Sequence, residues 1–270
     1  MKKQNLLIAV IVTFTVAVIA VVALIVFNRV NSITNAEKQY DTVTEEAVTE
    51  TYHAITIEPE ETEEVVEYDP RAGWLGDADG ENAYVMDVDA DKLLDTNEDY
   101  IGWIYGCGGD ISYPVCEAQD NSFYLNHGFD KSKNVYGTLF TEALDNGFLY
   151  TDVVIYGHHM KNGSMFNKIC EYKKKEYFDE HPYFYVFTTR GDAQYEIFSA
   201  YYMDMDVLAE IQNRDADLSR EEYIQSIKER SIYDTGVDAG AQDNILTLVT
   251  CEYTTANGRM ILHLKKVQDE

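Results

Sequence analysis

The chain has 270 residues and a formal net charge of −27 at pH 7, because 48 Asp and Glu residues outnumber 21 Lys and Arg residues. This charge argues against nucleic acid as a partner, since its phosphates would be repelled. It does not identify a substrate, because most of such an excess is normally solvated surface.

Residues 5–27 are almost uninterrupted Leu, Ile, Val, Ala and Phe. As a helix they span roughly 35 Å, which is enough to cross a bilayer. The apolar region of a cleavable signal peptide is shorter, roughly 7–15 residues. We therefore predict a transmembrane signal-anchor helix over residues 5–27, preceded by a short cytoplasmic tail of residues 1–4. Lys2 and Lys3 before this span, against Arg29 alone just after it, predict a single-pass protein of the cell membrane with its N-terminus inside.

Residues 28–80 are poor in large apolar side chains and dense in acid between Glu58 and Asp69. Such a segment buries too little apolar surface to offset the entropy lost on ordering. We predict an extended, self-repelling, extracytoplasmic stalk here. The folded domain then occupies residues 81–270, a length that can enclose one sizeable core.

The pattern becomes that of a folded domain from about residue 82. Val85, Val88 and Leu93 stand among acids, which predicts an amphipathic helix over residues 83–94. Eight short β-type runs follow, separated by Gly, Asn and Asp as turns require. These runs cover residues 101–105, 111–115, 138–140, 153–156, 183–188, 195–203, 245–250 and 259–267.

Two predicted helices interrupt these strands. One covers residues 165–178, and the other begins at Ser219, which forms a capping box with Glu222. Strands and helices do not alternate regularly, so the pattern predicts a mainly β fold, a closed or nearly closed barrel with helical additions.

The four cysteines are Cys107, Cys116, Cys170 and Cys251, and none forms a C-x-x-C pair. A structural zinc site therefore has little support, and no metal or cofactor is expected. Cys107 and Cys116 form the only close pair, and the sequence leaves open whether a disulfide joins them. Cys170 is interpreted as a small buried hydrophobe.

Three residues at the ends of β-type runs form a set with a complete chemistry. Cys251 ends the run 245–250, Arg259 begins the next run, and His158 closely follows the run 153–156. A thiolate can attack a carbonyl, a histidine can protonate the leaving amine, and the fixed donors of an arginine can stabilise an oxyanion. The set indicates a cysteine acyl-transfer enzyme.

The local sequence around these residues resembles that of class B sortases. The similar stretches are the TLVTC of residues 247–251 with Arg259 beyond it, the YGHHM of residues 156–160 with the GSMF of residues 163–166, the DNSFYLNH of residues 120–127, and the YDTG of residues 233–236. They lie in the order of the family, and the similarity covers about residues 93–267.

The resemblance implies an eight-stranded sortase-type β-barrel with N-terminal helices and a helix before the strand that carries Cys251. It also implies a membrane-anchored cysteine transpeptidase on the outside of a Gram-positive-type cell. Such an enzyme cleaves a C-terminal sorting signal after Thr, forms a thioester, and transfers the protein to an amine of a peptidoglycan cross-bridge or a pilin. By position, Cys251 is the nucleophile, His158 the proton donor and Arg259 the oxyanion or substrate clamp.

The resemblance further implies five residues that line or support the peptide groove: Asn121, Leu125, Tyr156, Thr250 and Glu252. Because neighbouring residues of a strand face opposite sides, only one of His158 and His159 can meet the thiol. The family pattern selects His158, so His159 is expected to face solvent. Two alternatives stay open: a surface cysteine protease or amidase that releases the acyl group to water, and a catalytically inactive anchored scaffold.

Overall fold

The computed structural model describes residues 2–54, 82–142, 148, 152–207, 217–254 and 257–268. The strands are β1 (Val48–Ala54), β2 (Asn82–Val88), β3 (Tyr100–Gly106), β4 (Ile111–Glu117), β5 (Leu139–Thr141), β6 (Asp152–Tyr156), β7 (Tyr183–Phe187), β8 (Ala193–Asp204), β9 (Ile245–Glu252) and β10 (Gly258–Lys266). The α-helices are α1 (Lys2–Ala47), α2 (Ala90–Thr96), α3 (Lys175–Glu180) and α4 (Arg220–Arg230), and short 3-10 helices cover Cys107–Gly109, Phe123–Leu125 and Asn167–Lys173.

Eight strands form a closed barrel in the order β10-β8-β7-β3-β4-β5-β6-β9, and β9 pairs back onto β10. The β4–β5 and β6–β9 pairs are parallel, and the other pairs of the barrel are antiparallel. The predicted eight-stranded barrel is therefore confirmed. The predicted strands agree with the observed ones to within a few residues at each end.

The side chains of β9 alternate between the two faces of the barrel wall. Leu246 and Leu248 are fully buried in the central core, together with residues of the neighbouring strands such as Ile155 and Leu262. Val249 instead belongs to a second cluster on the outer face, which α4 covers with its apolar residues. This period of two assigns odd-numbered residues of β9 to the outer face, where Cys251 also lies.

The outer helix α4 begins where the sequence predicts. Ser219 is its N-cap, and the side chains and backbones of Ser219 and Glu222 exchange the hydrogen bonds of a capping box. Ile224 and Ile227 are buried against the barrel. The other predicted helix, over residues 165–178, is present as the 3-10 helix Asn167–Lys173 followed by α3.

The predicted helix over residues 83–94 is wrong in its first half. Residues Asn82–Val88 form β2, which pairs antiparallel with β1 in a separate two-stranded sheet. A helix begins only after Asp89, whose side chain accepts a hydrogen bond from the Lys92 N–H and so acts as the N-cap. The partner strand lies far away along the chain, so local spacing could not reveal it.

The N-terminal helix α1 continues well past the predicted anchor. Its stretch Ala17–Ala47 contains an 18-residue window with mean hydropathy 1.9 and no buried residue, so by length and composition this one helix among the described residues can cross a membrane. Residues 28–47, which composition assigns to an extended stalk, are helical instead. Ala36, Tyr40 and Ala47 are buried against the domain.

The acidic average of this segment conceals an apolar stripe. Ile33, Ala36, Tyr40, Val43 and Ala47 all pack against the domain, and they recur every three or four residues, as one face of a helix requires. Residues 55–80 of the predicted stalk lie outside the described residues. The division of the chain into tail, anchor, stalk and catalytic domain stays a prediction.

Candidate functional site

Cys251 and Arg259 lie opposite each other on neighbouring strands. The antiparallel register of β9 and β10 pairs the two residues directly. Directly paired side chains lie on one face of a sheet, with Cβ atoms about 4.5–5.5 Å apart. Both residues are half-buried, so the fold brings a guanidinium beside a partly accessible thiol.

His158 approaches Cys251 from the other side of β9. The strand β6 runs parallel to β9, and Tyr156 is level with Val249. Beyond β6, the Gly157 N–H donates to the Val249 carbonyl at 3.1 Å, and the Thr250 hydroxyl donates to the Gly157 carbonyl at 2.8 Å. These two hydrogen bonds hold the chain alongside β9, which brings His158 level with Cys251.

The thiol, the imidazole and the guanidinium line one groove of about 580 Å³ on the outer face of the barrel. Four of the five predicted peptide-binding residues line the same groove: Asn121, Leu125, Tyr156 and Thr250. Apolar side chains of β5, β6, β9 and β10 contribute to it, and Tyr223 of α4 lies along it. An open, largely apolar groove with convergent polar groups suits an extended peptide.

The imidazole of His158 is held by a backbone carbonyl that sequence reasoning did not identify. Its Nε2 lies 2.6 Å from the carbonyl oxygen of Leu125. A carbonyl only accepts hydrogen bonds, so Nε2 carries a proton in this arrangement. The Leu125 carbonyl thus fixes the orientation of the ring and leaves Nδ1 as its other nitrogen.

Arg259 is fixed by the turn between its own strand and β9. Its Nη1 donates to the Gly258 carbonyl at 2.9 Å and contacts the Asn257 carbonyl at 3.4 Å. A guanidinium has five N–H donors in a planar fork, so these contacts leave donors that can face the groove.

Glu252 lies apart from the other predicted groove residues. The strand alternation that turns Cys251 towards the groove turns Glu252 away, and Glu252 does not line it. Its side chain is 3% exposed and forms an ion pair with Lys173. Burial alone raises the pKa of Glu252, but the hydrogen bonds from Lys173 and Thr254 outweigh burial and lower the pKa to about 2. Glu252 can therefore support the end of β9 but cannot contact a peptide in the groove.

His159 faces the protein rather than solvent, contrary to expectation. It is half-buried, and its Nδ1 lies 2.9 Å from the Cys251 carbonyl oxygen and 3.2 Å from the Cys170 sulfur. The ring of Tyr253 lies 4.9 Å away, centre to centre. An isolated β-bridge between His159 and Met165 turns the chain back at this point. His159 thereby holds the backbone of the residue that carries the thiol.

A carboxylate in the groove was also missed by sequence reasoning. Glu142 lines the groove and accepts a hydrogen bond from the Tyr156 hydroxyl at 2.7 Å. It directly follows β5, so no local motif marks it.

All four cysteines, each within the described part of the chain, are free thiols. Cys116 pairs with Tyr100 at one end of the β3–β4 hairpin, whereas Cys107 lies at the turn at its other end, so these two thiols cannot form a disulfide. Burial raises the pKa of Cys107 to about 11 and that of Cys170 to about 12. No group of three or more His, Cys, Asp or Glu side chains among the described residues is arranged to hold a metal ion.

Comparison with known proteins identifies related sequences. Residues 110–267 match the sortase domain family. The chain is 33% identical over 183 residues to sortase B of Listeria monocytogenes, and the alignment covers 66% of this chain and 74% of that protein. It is 27% identical over 186 residues to sortase B of Staphylococcus aureus, with the same two coverages.

Solved structures share the architecture. A Clostridium perfringens sortase B structure superposes with a TM-score of 0.59 at 29% identity, covering 66% of this chain and 99% of that one. A Staphylococcus aureus sortase B–substrate complex superposes with a TM-score of 0.58 at 26% identity, covering 67% of this chain and 86% of that one.

Proposed function

This chain belongs to the sortase family, in class B, and on that premise we propose that it cleaves a C-terminal sorting signal after Thr and transfers the resulting acyl group to an amine. The chain is thus a cysteine transpeptidase whose thioester intermediate forms on Cys251. The observation that carries this proposal is the common groove that Cys251, His158 and Arg259 line at the ends of adjacent strands.

In the first half of the reaction, the Cys251 thiolate attacks the carbonyl carbon of the Thr residue. A C–S bond forms, and the carbonyl π electrons move to the oxygen, which the planar fork of Arg259 stabilises. The C–N bond then breaks as the His158 imidazolium gives its proton to the leaving nitrogen. The products are a thioester on Cys251 and a free amino group on the released peptide.

In the second half, an acceptor amine attacks the thioester carbonyl. The tetrahedral intermediate again directs its charge towards Arg259, and the neutral His158 takes a proton from the attacking nitrogen. The C–S bond breaks and the thiolate is restored. The acceptor is an amine of a peptidoglycan cross-bridge or of a pilin, and surface proteins that carry a C-terminal sorting motif are the substrates.

The peptide is bound along the groove by Asn121, Leu125, Tyr156 and Thr250, which all line it. Glu252 acts indirectly, by fixing the end of β9 through its ion pair with Lys173. Residues 5–27 anchor the protein with its N-terminus inside, which leaves the groove outside the cell, where sorting signals and cell-wall amines are found.

The experiment that tests this proposal uses the full chain in detergent micelles with a library of peptides of the type Xaa-Pro-Xaa-Thr. We expect intact-protein mass spectrometry to detect an acyl adduct that is absent in Cys251→Ala. The matched control is Cys170→Ala, which removes a neighbouring thiol outside the groove lining and should keep the adduct. Turnover in Cys251→Ala would refute the assignment of the nucleophile.

A second measurement distinguishes transfer from hydrolysis. Adding a short glycine peptide as acceptor should speed turnover and change the product from a free acid to an amide. If the acid remains the only product at high acceptor concentration, the enzyme is a hydrolase and the proposed transfer step is wrong. Arg259→Lys should lower kcat by about 10²-fold, because one ammonium cannot reproduce the planar fork.

A further inference from the structure

The part of α1 that packs on the barrel contacts a turn close to the active site. Tyr40 is only 5% exposed, and its ring meets that of Tyr113 edge-on at 5.6 Å. Its hydroxyl donates a hydrogen bond to the Gly137 carbonyl and lies 3.1 Å from the Thr138 hydroxyl. Burial raises the pKa of Tyr40, so the hydroxyl keeps its proton and remains a donor.

Gly137 in turn has His158 and the carbonyl that holds it in the space where a side chain would lie. Its φ is +62°, and a Cβ at this position would lie 2.3 Å from the Tyr124 carbonyl oxygen, 3.1 Å from that of Leu125 and 3.2 Å from Cδ2 of His158. The next residue, Thr138, donates its N–H to the Tyr124 carbonyl at 2.9 Å. The turn therefore has no free space on the side that faces the imidazole.

The Leu125 carbonyl that borders this side of the glycine is the acceptor of the His158 Nε2 proton, at 2.6 Å. The Tyr40 hydroxyl thus holds a turn whose other side faces the Leu125 carbonyl and His158. Because the side of the turn that faces the imidazole has no free space, a shift of the turn towards it displaces the ring or the carbonyl that holds the ring.

We propose that Tyr40 is a positioning residue for His158 and that α1, the predicted anchor helix, is in this way a part of the active-site support. This inference rests on the proposed role of His158 as proton donor. It goes beyond that role, because it assigns a catalytic consequence to a helix that otherwise serves to hold the enzyme at the membrane.

The expected consequence follows from the geometry of proton transfer. A displacement of about 1 Å in a reacting group can cost up to about 10²-fold in rate. Tyr40→Phe keeps the buried ring and removes the hydroxyl, with its hydrogen bond to Gly137 and its contact with Thr138. We expect kcat to fall about tenfold while KM stays within about twofold, because the groove lining is unchanged.

Tyr136→Phe is the matched control. Tyr136 is also buried, at 2% exposure, and its hydroxyl donates to the Glu37 carboxylate of α1 at 2.9 Å. This variant therefore removes one side-chain hydrogen bond between α1 and the barrel, but not the one that holds the Gly137 carbonyl. A purely structural role of the interface predicts equal effects for both variants.

The test uses the full chain in detergent micelles, after its turnover has been shown to depend on Cys251 and His158. It measures kcat and KM with a sorting-signal peptide, and the imidazole nitrogen NMR signals of His158 without substrate. We expect Tyr40→Phe to lower kcat selectively and to shift the His158 signals, whereas Tyr136→Phe does neither.

The inference is overturned if the His158 signals do not move in Tyr40→Phe, if kcat equals that of the wild type, or if both variants lose activity alike. These outcomes differ from a failure of the proposed function. If the proposed function fails, the turnover of the wild type is itself independent of Cys251 or His158, while the NMR shift still reports whether Tyr40 positions the ring.

Discussion

The buried ion pair between Lys173 and Glu252 makes a quantitative prediction about stability. The Glu252 side chain is 3% exposed and that of Lys173 is 25% exposed. Lys173→Met keeps most of the side-chain length and leaves the carboxylate buried without its cation. Burial raises the pKa of Glu252, whereas Lys173 and Thr254 together lower it to about 2, so Lys173 is one of the two groups that stabilise the carboxylate. Breaking a buried pair on one side costs about 3–5 kcal/mol, so we expect a loss of about 3 kcal/mol at pH 7.

The dependence of this loss on pH follows from the direction of the pKa shift. A carboxyl whose folded pKa is lowered stabilises the folded state above its unfolded pKa, and the contribution disappears as the pH falls through the folded pKa. The unfolded value is near 4.5 and the folded value is about 2. The stability difference between the wild type and Lys173→Met should therefore be complete above about pH 5 and shrink steadily in more acidic solution.

Urea unfolding, followed by the fluorescence of the buried Trp103, measures this difference at neutral pH and at several acidic values. Lys174→Met is the matched control. Lys174 is the next residue, is 67% exposed and pairs with a partly exposed Glu171, so its loss should not change stability measurably. Equal stabilities of Lys173→Met and Lys174→Met at pH 7 would refute this reasoning, as would a difference that persists undiminished in acid.

Three further predictions concern the active site. Iodoacetamide at neutral pH should alkylate Cys251 first, because burial raises the pKa values of Cys170 and Cys107; peptide mapping that finds Cys170 modified faster contradicts this. Gly137→Ala should lower the free energy of unfolding by about 2 kcal/mol and abolish turnover, because φ is +62° and the new Cβ meets the Tyr124 carbonyl. Urea unfolding close to that of the wild type contradicts this prediction. His159→Ala should lower kcat by up to about tenfold. His159→Asn should retain most of the wild-type kcat, because its amide can replace the Nδ1 donor to the Cys251 carbonyl. Equal rates of the two variants in a peptide-cleavage assay contradict this prediction.

The parts of the fold that the sequence predicts are those with a local signature. Each barrel strand is a short apolar run between turn residues. The capping box formed by Ser219 and Glu222 is a local motif that marks the start of α4. The three proposed catalytic residues lie at strand ends, and the strand pattern and the local motifs together predict them. The strand pattern left open whether the barrel is closed or nearly closed, and the resemblance to class B sortases then specified an eight-stranded sortase-type barrel.

The errors concern residues whose conformation depends on distant partners. Residues 82–88 have enough apolar side chains for a helix, but β1 offers backbone hydrogen bonds that local spacing cannot reveal. Residues 28–47 have an acidic average, yet a stripe that includes Ala36 and Tyr40 finds an apolar surface on the barrel. Burial of that stripe contributes the free energy that the composition alone lacks.

The same distinction separates the groups proposed to react from the groups that hold them. Cys251, Arg259 and His158 are brought together by strand register, which follows from the fold. Their supports are long-range: the Tyr40–Gly137 hydrogen bond joins residues 97 positions apart, and the Lys173–Glu252 pair joins residues 79 positions apart. A single motif can therefore predict a nucleophile, but only the folded chain shows which residues hold it in place. Because productive geometry must be held within a fraction of an ångström, we expect substitutions at these remote supports to change the rate without changing the chemistry.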